Sequence, residues 1–396
     1  MRSSGLHLDG HRKGRPSIVL MVAIYLSLIS YVTMNLIFAL VSAGLFLWIM
    51  INGNIFEVYK RAHSSVRIGI ALLLLSSLLI LPFTLTKGMI YIAHYFTLVA
   101  TVIISMICSV KYPTQYYRAL QSLLYFYIVI VLGVIYFSDD TFPLECLVDG
   151  FSSNGVTSYL LIIQISYIIS KFILYKEIAW VTPVITLYIC YVGYGRGSLI
   201  TALAVVCVCV LMWIIQLKQG LVKTAVKSVL VFLLAFVLLE QFGALDALRD
   251  NTKLASGLND SHRETIIEDY VSQITPLTAM TGGSYSETVI EREYNGNPHN
   301  SYIRAHFLFG IPYLAAIFIT VLLPLLHQGL PQAKLFVFSL VGLMAFRAYT
   351  EPILFPTPLD IFFLTSVFMT LCDNIQINYS NKNIGRPRIS TDPLNG

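Results

Sequence analysis

Long uncharged apolar blocks alternate with short charged segments along most of this chain. An α-helix needs about 20 residues to cross the hydrocarbon core of a bilayer. The blocks that approach this length lie at residues 17–33, 35–51, 68–86, 88–110, 119–137, 156–174, 178–194, 197–216, 224–243, 303–326, 334–349 and 354–371. The first uncharged run is too long for one span, so we divide it by a hairpin near Thr33–Asn35. The pattern predicts an all-α, polytopic transmembrane helical bundle of about 12 spans, with residues 1–396 as a single integral membrane domain.

The longest polar stretch, residues 244–302, separates the ninth predicted span from the tenth. Within it, Ser261 and Glu264 have the spacing of a capping box, a pairing that satisfies the free N–H groups at a helix start. Apolar residues follow at helical spacing until Pro276 ends the pattern. We therefore expect one large loop that contains an amphipathic helix near 262–275, lying on the membrane surface.

Composition supports the membrane assignment. The chain is 56% hydrophobic and 12% charged, whereas a soluble domain carries about 25% charged residues. The net charge of +5 is small, and the basic residues group in short loops, which is typical of membrane orientation and not of nucleic-acid binding. Most of the six cysteines lie in or beside apolar blocks without a CxxC pair, so we interpret them as buried apolar residues. The basic start of the chain is followed by no convincing cleavage site, so we predict no cleavable signal peptide.

The basic residues also predict the orientation of the helices. If the N-terminus is cytoplasmic, 18 of the 26 basic residues fall on the cytoplasmic side, as the positive-inside rule requires. The segment around 138–155, on the other side, has four acidic residues and no basic ones. Both termini are therefore expected in the cytoplasm, and the 244–302 loop outside it.

Eight basic residues fall on the outer side, against this preference. They are Lys87, Arg196, Arg249, Lys253, Arg263, Arg292, Arg304 and Arg347. We interpret Lys87, Arg249, Lys253 and Arg292 as ordinary solvated charges. The other four are all arginine, whose planar fork suits phosphate better than a lysine does. Their local context favours an anionic ligand on the outer side.

The segment Asn297–Ser301 has the pattern of a helix start, with Asn297 as N-cap and Pro298 in the first helical position. His299 would then lie in the first turn of the tenth span, where the helix dipole disfavours a charged imidazole and suits a general base. His306 and Gly310 would return to within about 20° of the same face, with Gly310 allowing a close helix approach. The alternative is that His299 and His306 make only structural hydrogen bonds.

Two other outer-side arginines stand in distinctive contexts. Arg196 follows two glycines in a short turn, where a lone cation is expensive unless it is paired or bound to a ligand. Arg347 and Glu351 are four residues apart, which is the spacing of an ion pair near a helix end. Asp360 is a further charge inside the last apolar block, and the sequence assigns it no partner.

With these features the chain resembles the O-antigen ligase and O-antigen polymerase superfamily of bacterial surface polysaccharide synthesis. The Gly195-Arg196-Gly197-Ser198 turn is similar to the family's Ser-Arg-Gly turn, with glycine in place of the usual serine. Arg263 opens the large loop as a family arginine does. Pro298-His299-Asn300-Ser301, with Gly310 eleven residues after the histidine, is similar to the family's His-x10-Gly motif. The layout of spans also matches, so the resemblance covers nearly the whole chain.

The resemblance implies a glycosyltransferase of the bacterial inner membrane that works on the periplasmic face without metal or cofactor. Its donor would be a glycan on undecaprenyl pyrophosphate. His299 would deprotonate the acceptor hydroxyl, and Arg196 and Arg263 would hold the leaving pyrophosphate. Arg304, Arg347 and His306 are added from this sequence alone as further substrate contacts. The expected partners are the lipid-linked glycan, membrane lipid, a flippase and a chain-length regulator, with no nucleic acid.

Three functions stay open on the sequence. A polymerase would join lipid-linked repeat units to one another, and we favour it because Pro298–Tyr302 and Glu351–Asp360 look more like polymerases. A ligase would transfer the glycan to the lipid A core. A transporter of lipid-linked sugars would be expected to carry internal repeats and broken mid-membrane helices, and the sequence contains no evident repeat.

Overall fold

The computed structural model describes residues 15–33, 35–140, 142–147, 152–216, 261–326 and 331–372, and within them the chain forms helices and no strand. The α-helices are α1 (Arg15–Thr33), α2 (Leu36–Gly53), α3 (Ile55–Arg61), α4 (Ser64–Lys87), α5 (Ile92–Val110), α6 (Pro113–Phe137), α7 (Ser153–Tyr175), α8 (Val181–Val192), α9 (Arg196–Gln216), α10 (Ser261–Ser272), α11 (Pro276–Thr281), α12 (Val289–Arg292), α13 (Ser301–Leu326), α14 (Pro331–Thr350) and α15 (Asp360–Thr370). Single 3-10 turns, Met89–Tyr91 and Pro143–Cys146, precede α5 and follow α6.

Within the described ranges, 8 helices are long and apolar enough to cross a membrane. They are α2, α4, α5 with its preceding turn, α6, α7, α9, α13 and α14. Shorter apolar helices occupy Ile18–Thr33, Val181–Val192 and Asp360–Thr370. The all-α, multi-span prediction is confirmed. The block 224–243 and residues 244–260 of the large loop lie outside the described residues, so the span count stays a prediction.

The predicted hairpin between the first two helices is present. α1 ends at Thr33 and α2 begins at Leu36. The Asn35 side chain caps α2 by accepting a hydrogen bond from the Ile37 N–H at 2.9 Å, because the first N–H groups of a helix have no partner within it.

Helix α7 is the centre of the bundle. Most of its residues are buried inside the protein. It contacts α6, α8, α9, α14 and α15. Its N-terminal end therefore meets the ends of several other helices on one side of the molecule. The Arg347 guanidinium bonds to Ser158 near this end, and the Tyr31 ring of α1 contacts the Tyr159 ring at 5.5 Å.

The last apolar block is helical over a shorter range than the sequence pattern predicts. Helix α15 begins at Asp360, whereas the block begins at residue 354. Pro352, Pro356 and Pro358 break up the intervening segment, because proline has no N–H to donate within a helix. The Asp360 carboxylate accepts hydrogen bonds from the backbone N–H groups of Phe355 and Thr357 at 2.9 and 3.0 Å. Asp360, to which the sequence pattern assigns no partner, thus holds the segment between α14 and α15.

The predicted amphipathic helix is present as α10, but its apolar face meets protein. Ile266 and Tyr270 are both 2% exposed and pack with Ile290 and Ile303. The expectation of a helix lying on the membrane surface is therefore wrong for this face. The sequence pattern predicts an apolar face but does not show what that face packs against. Here Ile290 and Ile303, which come after Pro276, cover it.

Helix α13 is broken at Gly310, where the backbone has φ 65° and ψ −173°. Pro312 lacks the N–H that would bond the Leu308 carbonyl, and the Thr84 hydroxyl donates to that carbonyl instead. A Cβ at Gly310 would lie 2.1 Å from the Met280 carbonyl oxygen. Gly310 therefore allows the close approach of the Met280–Gly282 backbone at the end of α11, which is the close helix approach that the sequence predicts.

Lys87 is not the solvated charge that we expected. Its ammonium donates to the Phe307 carbonyl, which the break in α13 leaves without a helical partner, and lies 4.7 Å from the centre of the Phe307 ring. The side chain is half-buried at the C-terminal end of α4. Its ammonium therefore satisfies the Phe307 carbonyl at the break in α13. The positive-inside rule counts charges in loops and does not predict such a contact.

Replacing Gly310 with alanine is expected to destabilise the protein by about 2–5 kcal/mol, because a β-carbon would add both left-handed backbone strain and a clash with Met280. Gly133→Ala is the matched control, since a Cβ there meets nothing within 4 Å inside helix α6. Thermal unfolding of the two detergent-purified variants measures the difference. Equal midpoints would contradict this account of the kink.

Candidate functional site

A cavity of about 860 Å³ opens where the ends of α1, α7, α13 and α14 meet α10. Its walls come from five parts of the chain: the end of α1, the start of α7, α10, the 294–304 segment and the residues after α14. The lining residues that bear on its chemistry are Tyr31, Asn154, Tyr159, Arg263, Tyr294, Asn295, Asn297, His299, Arg304 and Glu351. Three of the six residues proposed from the sequence thus share this cavity, namely His299, Arg263 and Arg304.

His299 lies just before α13 and not in its first turn. The helix begins at Ser301, and its cap is Asn300, whose side-chain oxygen accepts from the Tyr302 and Ile303 N–H groups at 2.8 and 3.2 Å. Asn297 instead accepts from the His299 N–H at 3.0 Å. The expected cap was therefore three residues too early, because both asparagines have the capping side chain.

The backbone at His299 holds the imidazole against the cavity. Its φ of 48° is in the left-handed region, which turns the chain away from the helix direction. The Tyr294 ring meets the imidazole edge-on, with centroids 5.2 Å apart. The proposed stripe of His299, His306 and Gly310 along one helix face does not exist, since His299 is outside the helix.

Arg263 and Arg304 reach the cavity from different elements. Arg263, in α10, places its Nη2 atom 3.3 Å from the Oε1 atom of Glu351. Arg304, in α13, donates from Nη2 to the Leu354 carbonyl at 2.7 Å, while its Nε is buried without a hydrogen-bond partner. Two guanidinium groups therefore stand in one concave space, which is the arrangement that phosphate recognition uses.

Arg347 lies beneath the cavity instead of lining it. It is 1% exposed, and its guanidinium donates to the Ser158 hydroxyl at 2.6 Å and to the Thr350 hydroxyl. Its Nη2 also lies 3.7 Å from the Oε1 atom of Glu351, so the predicted ion pair is confirmed. Arg347 thereby joins α14 to α7 and holds the carboxylate that faces the cavity.

Arg196 is half-buried at the first position of α9, and it is not among the residues that line the cavity. It does lie beside the cavity wall. A Cβ on Gly195 would come within 2.1 Å of the Asn154 side-chain oxygen, so glycine lets the turn before α9 press against a lining residue. The glycine-rich turn thus places Arg196 next to the wall.

His306 fastens α10 and α11 to α13. Its Nε2 lies 3.1 Å from the Ala279 carbonyl and its Nδ1 lies 2.8 Å from the Tyr270 hydroxyl. Because a carbonyl only accepts, Nε2 carries the proton and Nδ1 accepts from the phenol. Burial raises the pKa of Tyr270, which keeps that phenol a donor. Both imidazole nitrogens are therefore engaged away from the cavity.

The sequence reasoning missed most of the polar and aromatic lining. Tyr31 and Tyr159 belong to predicted spans that the sequence pattern marks only as apolar blocks, and Asn154 lies in the segment just before the second of these. The sequence spacing pairs Glu351 with Arg347, but the carboxylate also faces Arg263. One signal in the sequence points to this region: the run of small polar residues at 152–154 lies at the N-terminal end of the central helix α7.

Replacing His306 with alanine is expected to lower the free energy of unfolding by about 2 kcal/mol or more, because it leaves the Tyr270 hydroxyl and the Ala279 carbonyl buried without partners. His299→Ala is the comparison, and it is expected to leave stability nearly unchanged because its imidazole faces the cavity. Thermal unfolding in detergent measures both. If the two variants unfold at the same temperature, His306 does not have this fastening role.

Comparisons with known proteins identify no relative for this chain. No protein-family model matches it, and no similar protein was found among curated proteins or solved structures. The case for a function therefore rests on the residues that meet in the cavity.

Proposed function

We propose that this protein polymerises oligosaccharide repeat units carried on undecaprenyl pyrophosphate, as in the synthesis of O-antigen or a related surface polysaccharide. The reaction is a glycosyl transfer at the periplasmic face of the bacterial inner membrane. The observation that carries the proposal is the meeting of His299 with Arg263 and Arg304 in one cavity at an end of the helical bundle.

The two arginines suit the leaving group of this reaction. When the bond between sugar and pyrophosphate breaks, negative charge develops on the phosphate oxygens. Guanidinium groups stabilise such charge by paired, charge-assisted hydrogen bonds. Arg263 and Arg304 would hold the pyrophosphate in this way, and Arg196, beside the cavity wall, would contribute a further contact.

His299 is the group we assign to the acceptor. A neutral imidazole takes the proton from the acceptor hydroxyl, whose oxygen then bonds to the anomeric carbon of the donor sugar. The bond from that carbon to the pyrophosphate breaks, and undecaprenyl pyrophosphate leaves with the electron pair. The contact with Tyr294 supports this role because it orients the imidazole at the cavity wall.

The rest of the lining suits a sugar. Tyr31, Tyr159 and Tyr294 offer aromatic faces, and Asn154, Asn295 and Asn297 offer amide groups. An amide both donates and accepts hydrogen bonds, as sugar hydroxyls do. A cavity with this mixture of aromatic and amide groups is better matched to a glycan than to a purely apolar or purely ionic ligand.

The distribution of charge supports a periplasmic cavity. At the end of the bundle opposite the cavity, Lys111 donates to the Gly53 carbonyl and Lys171 pairs with Glu177. Basic residues favour the cytoplasmic side. We therefore propose twelve spans with both termini in the cytoplasm, and the loop between the ninth and tenth spans in the periplasm.

The break in α13 bears on the transporter alternative, since transporters use broken helices to bind substrate at mid-membrane. Here the freed Phe307 and Leu308 carbonyls accept hydrogen bonds from Lys87 and Thr84. They are not among the residues lining the cavity. The break therefore favours a fixed structural role over a moving substrate gate.

A ligase that transfers the same donor to the lipid A core would use the same pyrophosphate and base residues. The two enzymes differ in the acceptor: another lipid-linked repeat unit for the polymerase and the lipid A core for the ligase. For the polymerase, we propose that a flippase delivers the lipid-linked units to the periplasm and that a chain-length regulator limits the product.

Deleting the gene in its bacterial host is expected to remove the ladder of long surface glycans and leave a single core-plus-one-repeat band on a lipopolysaccharide gel. The wild-type gene restores the ladder, whereas His299→Ala, Arg263→Ala and Arg304→Ala do not, each with an expected loss of about 100-fold or more. Arg292→Ala is the control, because Arg292 is exposed on the same side and does not line the cavity.

Each variant must be present in the membrane at the wild-type level. A knockout with no repeat on the core, while lipid-linked units accumulate, would assign the protein as a ligase instead. Normal ladders from the His299 or Arg263 variants would exclude the mechanism given above.

A further inference from the structure

Glu351 lies between two arginines that differ in their surroundings. The same carboxylate oxygen, Oε1, is 3.3 Å from Nη2 of Arg263 and 3.7 Å from Nη2 of Arg347. Glu351 belongs to the cavity wall, yet the residue is only 8% exposed. A nearly buried carboxylate therefore faces the space assigned above to the pyrophosphate.

Arg347 is the fixed partner of this carboxylate. It is 1% exposed and is held by the hydroxyls of Ser158 and Thr350, on two different helices. Arg347 lies one helical turn before Glu351. If its guanidinium moved away, the buried hydroxyls of Ser158 and Thr350 and the Glu351 carboxylate would lose their partner. A buried cation of this kind needs its counter-ion, and removing one partner is strongly destabilising.

Arg263 is the exchangeable partner. Its side chain is 30% exposed, and it extends from α10, an element separate from the one that carries Glu351. Because the Arg263 side chain is partly exposed, this ion pair is weaker than one that is buried on both sides. Pyrophosphate carries more negative charge than a carboxylate and presents several oxygens to the same guanidinium fork. Arg263 therefore has a stronger partner available when a pyrophosphate enters the cavity.

We propose that Glu351 is an exchangeable counter-ion, which holds Arg263 until the donor binds and then gives it up to the donor pyrophosphate. This inference rests on the proposed function, because it assumes that Arg263 binds the pyrophosphate. When Arg263 changes partner, Arg347 remains beside Glu351, so no buried carboxylate is left without a cation. Glu351 is thus a positioning residue, acting on the substrate through Arg263.

The exchange has a measurable consequence for affinity. With Glu351→Gln, Arg263 no longer has to leave a carboxylate. Inorganic pyrophosphate is therefore expected to bind about two- to fivefold more tightly than to the wild type, which corresponds to the free energy of an ion pair open to solvent. The measurement is calorimetric titration of the full-length protein in detergent with pyrophosphate. Glu264→Gln is the matched control, since it removes the same charge from an exposed position beside Arg263 and is expected to change affinity little.

A second pair of variants separates exchange from simple repulsion between Glu351 and the phosphate. On an Arg263→Gln background, Glu351→Gln is expected to have no effect on affinity, because the competition has been removed. An equal gain on both backgrounds would overturn the exchange and leave only repulsion. Glu351→Asp keeps a charge next to Arg347, so it serves if the glutamine variant does not fold, and it is expected to tighten binding by a smaller factor.

The outcomes distinguish the two proposals. If pyrophosphate binds the wild type and Arg263→Gln weakens it, but neither Glu351 variant tightens it, the exchange is wrong and the donor site stands. If Arg263→Gln leaves pyrophosphate binding unchanged, or the wild type does not bind it, both the donor site and the exchange are wrong.

Discussion

The burial of one positive charge organises the site. The Arg347 guanidinium is almost completely removed from solvent, and a buried charge must be paired and hydrogen-bonded to be tolerated. Its partners come from α7 through Ser158, from α14 through Thr350, and from the cavity wall through Glu351. Satisfying this charge brings the ends of two helices together and fixes a carboxylate in the cavity wall. Arg263 is then held across the opening by the same carboxylate.

Helices α10 and α11 are fixed to this frame by a second constraint, the break in α13. Gly310 lets the Met280–Gly282 backbone approach, and Lys87 and Thr84 satisfy the carbonyls that the break releases. His306 bonds both Tyr270 of α10 and Ala279 of α11. These contacts position α10, and therefore Arg263, relative to His299 and Arg304. His306, which we expected to contact substrate, and Lys87, which we expected to be a solvated charge, thus support the residues that face the cavity.

The sequence predicted the helices well because the signal is strong: a hydrocarbon-spanning helix leaves a long run without charge. It predicted that His299, Arg263 and Arg304 would lie on one side, since orientation rules act on whole segments. It did not distinguish these cavity-lining residues from the buried Arg347 and His306, because burial of a side chain depends on tertiary packing. The helix start was placed at Asn297 instead of Asn300 because either asparagine can cap. Tyr31 and Tyr159 were overlooked because aromatic residues within apolar blocks usually face lipid or the core.

We propose that the protein transfers a glycan from a pyrophosphate-linked donor that binds in the cavity. A reconstituted reaction tests this proposal most directly. Lipid-linked repeat units, extracted from the gene-deleted host, would be incorporated into liposomes with the purified protein as the only enzyme. The account predicts lengthened lipid-linked glycans and one undecaprenyl pyrophosphate released per bond formed, with neither product from His299→Ala. Movement of intact units across the liposome membrane without release of undecaprenyl pyrophosphate would contradict the account and assign the protein to transport.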